Sequence, residues 1–187
     1  MALTNVFTGA NGSLTLASED TPEGRDASAV TTTYELTTVG RVTDVAISVQ
    51  TELEEFHEIG RRHAVSLHPG DIHISGKVGR AYVNGALLFL LQGRGSAPSN
   101  IAEPYVQPTF NMTVALNDPA VPGNSVSLEL KGVKFQNWSY ALPEDDVVME
   151  NLDFRALTIR VLDRQGASGG GEATSTSPSF SDGTATA

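Results

Sequence analysis

The stretch VTDVAISVQTELEEFHEIGRRHAVSLHPGDIHISGK, residues 42–77, decides the fold. Apolar β-branched residues recur along it at Val42, Val45, Ile47 and Val49, alternating with one out-of-phase step that a β-bulge would supply. Further on, Ile72 and Ile74 fall on one face against His73 and Ser75 on the other. Period two is the spacing of a strand with one buried face, so strands are expected over 42–52 and 72–77.

Outward from there the same alternation continues, punctuated by Gly, Pro and Asn. Leu14 and Leu16 alternate in 13–17, after a Gly9-Ala-Asn11-Gly12 turn that would close a short hairpin with 3–7. Residues 19–28, with Pro, Gly and five charges, read as an exposed loop, and 30–38 as a strand. Four more strands are expected over 105–117, 125–131, 133–142 and 153–163, with a turn or bulge at Gly132 and an exposed turn at Pro143-Glu-Asp-Asp146. Between 80 and 92 the period changes. Arg80, Asn84 and Gln92 fall at multiples of four among apolar side chains, the pattern of a largely buried helix between Gly79 and Gly93. Its rival is a hairpin turning at Asn84-Gly85. The fold class expected is mainly β, a small sandwich or barrel with one flanking α-helix.

At 187 residues the chain has room for one domain of ordinary size, and residues 1–165 are read as that domain. In residues 166–187, 18 of 22 are Gly, Ala, Ser or Thr, so this segment has little to bury and reads as a separate tail. Cysteine is absent, which removes disulfide scaffolds, thiolate metal sites and thiol nucleophiles. The formal charge of −10, with no Lys/Arg cluster, argues against binding to nucleic acid or to an anionic membrane. The longest apolar run is the six residues 86–91, and the first ten residues lack the pattern of a secretory signal. Neither export by that route nor membrane insertion is expected.

No arrangement of reactive groups stands out. His57, His63, His68 and His73 spread over 17 residues without metal-ligand spacing. Carboxylates gather at Glu52, Glu54, Glu55 and Glu58 and again at Glu144, Asp145, Asp146 and Glu150; these would suit an acid–base hydrolase, but any acidic chain has such groups, and Arg61 and Arg62 answer the first set. The Gly70–Lys77 segment has one residue too many between its glycines for a phosphate loop, and Val78 stands where Ser or Thr would hold magnesium. No cofactor, metal or catalytic residue is therefore assigned, and the chain is not read as an enzyme. Phe135, Trp138 and Tyr140 form either part of the core or the shallow platform of a monomeric β-sandwich binding module for carbohydrate or protein, which is the alternative reading.

The order of segments from Tyr34 to Gly93 resembles the tail tube proteins of tailed bacteriophages and contractile injection systems. The pieces are Val39-Gly40-Arg41 at a strand end, the long alternating strand to Glu52, the Glu58-Ile-Gly60-Arg61 step, Pro69-Gly70 before a strand with Gly76, and the apolar Gly85-Ala-Leu-Leu-Phe-Leu-Leu segment. Residues 143–161 are similar to the family's closing pattern, an acidic turn, then Glu150, then Phe154 opening a final strand. The resemblance implies six copies in a ring, rings stacked into a hollow tube, and long hairpins lent to one inter-subunit barrel, here 42–60 with 61–77. It also implies a place in the virion tail, assembly in the host cytoplasm, and passage of DNA or an effector without specific binding. Tape-measure, baseplate or tail-tip and terminator proteins, and in some tails a sheath, would be partners. Asp44, Glu52 and Glu54 are the lumen-facing candidates. Arg41, Arg61, Arg62, Arg80, Glu55 and Glu58 are the candidates for contact between subunits.

Overall fold

The computed structural model describes residues 7–93, 106–121, 123–165 and 174–175. The chain runs through β1 (Gly12–Ser18), α1 (Pro22–Thr33), β2 (Val42–Phe56), β3 (Ser66–Ala81), α2 (Ala86–Gln92), β4 (Phe110–Asn117), β5 (Ser125–Ala141), β6 (Met149–Ala156), β7 (Thr158–Gln165) and β8 (Thr174–Ser175). All strands pair antiparallel in one bent sheet. The short hairpin expected with residues 3–7 lies largely outside the described residues.

The bend sits in β5. Residues 125–131 and 133–142, read from sequence as two strands, are one strand of 17 residues interrupted by a bulge in which Lys131 and Gly132 stand opposite Asn111. Gly132 has φ +63°, a conformation that disfavours side chains, and an added Cβ would meet the Leu157 side chain at 2.5 Å. Its N–H is held by Glu19 Oε1 at 3.1 Å and Asn111 Oδ1 at 3.3 Å. Across the corner, residues 153–163 also break, at Leu157, into the ends of β6 and β7. β5 pairs with β7 up to Lys131 and with β4 up to Val133; from Lys134 onward it pairs with β6 alone. One half of the sheet is therefore β1-β4-β5-β7-β8, and the other is β5-β6-β3-β2.

The two halves fold over a shared core of Leu14 and Leu16 from β1, Phe110 and Met112 from β4, Leu130, Val133 and Phe135 from β5, Leu152 and Phe154 from β6, and Ile74 and Val78 from β3. Gly76 sits at a close approach between strands and core. Opposite Phe154 in register, it leaves the space the ring fills; a Cβ there would lie 2.4 Å from the ring and 2.3 Å from the Ala46 carbonyl.

Segment 19–28 is not a loop: most of it belongs to α1. Thr21 Oγ1 accepts from the Gly24 N–H at 2.9 Å, Pro22 occupies the first turn, and Glu23 adds an acid there, so Pro and Gly start this helix rather than break it. The expected strand over 30–38 is likewise mostly helix and helix end. Glu35 takes φ +50°, while the N–H groups of Leu36 and Glu35 reach the carbonyls of Thr31 and Thr32. Only Thr37–Val39 run extended, bonding to β1 through Leu16 N–H to Thr37 O and Val39 N–H to Leu14 O, and so cover that edge of the sheet.

The helix expected from Arg80 begins later, at Ala86, because β3 runs through Ala81. The four-residue spacing of Arg80 and Asn84 reflects a contact rather than a helical face: Arg80 Nη2 donates to Asn84 O and Oδ1, and Asn84 Oδ1 accepts from the Ala86 N–H. Asn84-Gly85 thus opens α2 instead of turning a hairpin. Ala86, Leu87 and Leu90 bury one face of this short helix.

Candidate assembly surface

β2 and β3 form one hairpin of 15 and 16 residues, the two longest strands after β5. A bulge at Thr43 explains the out-of-phase step between Val42 and Val45. β3 pairs with β6 only from Ile74 to Ala81, so Ser66–His73 and the matching part of β2 project as a two-stranded ribbon. At about 3.3 Å per residue the projection is about 25 Å long.

The ribbon is amphipathic. Val45, Ile47, Val49 and Leu53 share one face, opposite Val78, Gly76, Ile74 and Pro69 in register. Near the body this face enters the core; beyond it the same stripe is bare, with Val49 50%, Leu53 59%, Leu67 58% and Ile72 64% exposed. Phe56, Ile59 and Val65 add exposed apolar surface around the tip. A ribbon with one uncovered apolar face is not a stable end state in water. These apolar residues are what reading for charge missed, although the signal was present: the stripe continues at the strand period past the point where the body can cover it.

Asp44, Glu52 and Glu54, the three lumen candidates, fall on the other face of β2, where they are exposed. Glu52 lies 3.5 Å from His73 Nε2, and Glu54 stands opposite His68, whose Nε2 bonds Ser66 Oγ at 3.0 Å. On the same polar side of β3 and β6, Lys77 pairs with Asp153 at 3.8 Å. Glu55 contacts His57 at 3.1 Å, and Glu58 pairs with Arg61 at 3.6 Å within the tip turn. Arg62 is exposed beside them. Arg41 is exposed at the foot of the hairpin with φ +57°, its carbonyl accepting from the Ala81 N–H at 3.0 Å.

Arg80 departs from the expected set. It is 1% exposed and faces Glu150, itself fully buried, across the β3–β6 register; the two form a salt bridge, and Glu150 Oε2 also accepts from Trp138 Nε1 at 2.8 Å. An arginine enclosed within its own subunit has no surface to offer a neighbour. Gln136 is a bulge residue, which returns Phe135 and Trp138 to the same inward face. Phe135 is core, Trp138 packs against it, and Tyr140 alone is half exposed, so the three do not form an open platform. Among the described residues no group of three or more His, Asp or Glu is placed to hold a metal ion.

The two edges of the β5-β6-β3-β2 half differ from the covered edge at β1. β2 ends the sheet, and the C-terminal half of β5 pairs on one side only. A 15-residue strand with one edge unpaired is a template for another chain.

No protein-family model and no curated protein sequence matches this chain. Its fold is similar to that of solved tail and injection-system proteins. It superposes on a chain of the sheath–tube complex of an extracellular contractile injection system in the extended state with a TM-score of 0.59 at 9% identity, covering 86% of this chain and 94% of that one. For a chain of the anti-feeding prophage baseplate the TM-score is 0.58 at 15% identity, covering 87% and 98%. For the SPP1 tail tube it is 0.52 at 11% identity, covering 83% and 78%. The fold of this chain is thus shared with these tail and injection-system proteins at 9–15% sequence identity.

Proposed function

We propose that this protein is the repeating subunit of a tail tube: six copies close a ring, rings stack into a hollow tube, and DNA or an effector passes through it to a host cell. The observation that carries the reading is the projecting hairpin, which combines an unpaired edge with a bare apolar stripe. Laying β2 of one copy beside the free edge of β5 in the next would join the four-stranded halves into one closed sheet and remove both edges. The stripe of Val49, Leu53, Leu67 and Ile72 would then be covered by the neighbour. Burying such a side chain contributes about 1.5–3 kcal/mol, whereas an exposed ion pair such as Glu58–Arg61 contributes about 0–1 kcal/mol, so apolar cover drives ring closure and charge sets register.

The polar face carrying Asp44, Glu52 and Glu54 then lines the lumen. Six copies at −10 each carry −60 formally, and a lumen sharing that acidity repels a phosphate backbone, which lets DNA slide without sticking. Function in this reading is assembly and passage, with no catalytic step. The tube belongs to the virion tail, is built in the host cytoplasm, and meets tape-measure, tail-tip and terminator proteins at its ends.

Negative-stain electron microscopy with light scattering tests the reading. Rings of about 118 kDa (6 × 19.7) or hollow tubes are expected from the purified protein or on its tail initiator complex. A monomer that never polymerises on that complex would refute it.

A further inference from the structure

We infer that residues 1–6 fill an apolar groove of their own subunit, at the seam where the two end strands of the sheet, β1 and β2, face each other without pairing. The sheet runs from β1 to β2 through β4, β5, β6 and β3, and no register joins its two ends among the described residues. Between those ends lies a groove of about 430 Å³. Val42, Val45 and Ile47 of β2 form one wall, and Val114 and Leu116 of β4 with Leu128 of β5 form the other. All six are only half-buried, and Val42, Val45, Ile47 and Val114 pack directly against the buried core. A groove that opens straight out of a core leaves apolar side chains wet, so covering them is favourable. Asp44 is the one charged residue among the described residues that line it.

Chain connectivity chooses the occupant. Gly9 and Gly12 also line the groove, so the chain enters the described fold at its mouth. The Gly12 N–H bonds to the Gly9 carbonyl, and the Asn11 N–H to the Thr8 carbonyl at 3.2 Å, which makes a tight turn just before β1 begins. A hairpin of 3–7 along β1 would meet an edge already in use, because the Leu16 N–H donates to Thr37 O and Leu14 O accepts from the Val39 N–H. Six residues extend to about 20 Å, which is ample for a groove of this volume.

Composition points to the same segment. Met1, Ala2, Leu3 and Val6 are apolar, and the first charged side chain in the whole sequence is Glu19. A short tether also favours the subunit's own segment over any free competitor, since it sets an effective concentration of about millimolar.

Cysteine is absent, so a single introduced thiol reports on one position. In Leu3→Cys, iodoacetamide should react at least tenfold more slowly with the folded monomer than with the urea-unfolded chain. Adding Leu116→Ala, which removes part of one wall, should speed that reaction at least threefold. Leu3→Asp combined with Val6→Asp should lower the monomer's thermal midpoint by about 5–10 °C. Alkylation at the unfolded rate, or an Asp variant with an unchanged midpoint, would overturn the inference. Protection indifferent to Leu116→Ala would put the segment somewhere else on the molecule and overturn it as well. Protection seen only at concentrations where light scattering detects oligomers would give the groove to a second copy's segment, which is again the wrong occupant. Every reading is taken on dilute monomer, so a chain that never forms rings would remove the tube reading and leave this inference standing.

Discussion

Arg80 and Glu150 form an ion pair inside the core. Both are enclosed, and Glu150 is further bound by the Trp138 indole, so the charges are matched but desolvated. Glu150→Ala would strand the guanidinium in the core and is expected to cost about 3–5 kcal/mol in urea unfolding. Replacing both partners, Arg80→Met with Glu150→Leu, removes the desolvated charges together and should recover most of that loss. A double variant no more stable than the single one would show that the network, rather than the stranded charge, carries the stability. Glu23 works differently because it is near solvent. A hydrogen bond from Lys134 at 2.7 Å, joined by one from Thr109 at 2.7 Å, holds its carboxyl below the ordinary value of 4.5. A lowered folded value means the contribution is present above 4.5 and is lost as pH falls through the folded value. Glu23→Gln should therefore lower the thermal midpoint at pH 7 and lower it by less near pH 3. An equal difference at both pH values would assign the effect to lost packing.

Among the elements, α1 shows how local chemistry can be present in a sequence and still be misjudged. Its start is written in Thr21-Pro22-Glu23, a cap, a first-turn proline and an acid, yet Pro22 and Gly24 read as loop residues when weighed by type alone. Its last turn, Thr31–Thr33, has strand-like composition, and the tertiary contact of buried Leu36 overrides it. Glu35 closes the helix with a positive φ that glycine would adopt more readily. Glu35→Gly is expected to stabilise the fold by about 1 kcal/mol, read as a higher urea midpoint at constant slope. A fall in the midpoint would mean that the Glu35 side chain makes a contribution larger than the strain. The inner parts of both hairpin strands, 42–52 and 72–77, were legible together with the bulge at Thr43, because period-two alternation is a direct consequence of a strand with one buried face; their outer parts, 53–56 and 66–71, were not read as strand, and the pairing into one hairpin came from the family resemblance. The β5 corner was half legible: Gly132 marked the place, but whether a strand ends or bends there depends on Asn111, Glu19 and Leu157, which are distant in sequence. Arg80 was placed on the wrong surface for the same reason, since its partner lies 70 positions away.

For the whole molecule the balance is between net charge and uncovered apolar area. Every copy carries −10, so like-charge repulsion opposes bringing copies together, and that repulsion is long-ranged at low salt, with a screening length of about 30 Å at 0.01 M and about 8 Å at 0.15 M. Apolar contact is not weakened by moderate salt. If the hairpin stripe drives assembly, raising sodium chloride from about 0.02 to about 0.15 M should lower the concentration at which rings or tubes appear, followed by light scattering. If ion pairs such as those offered by Arg61 and Arg62 drove it, the same titration would raise that concentration. The expected sign is the first, because each exposed pair is worth little and the apolar stripe repeats in every copy.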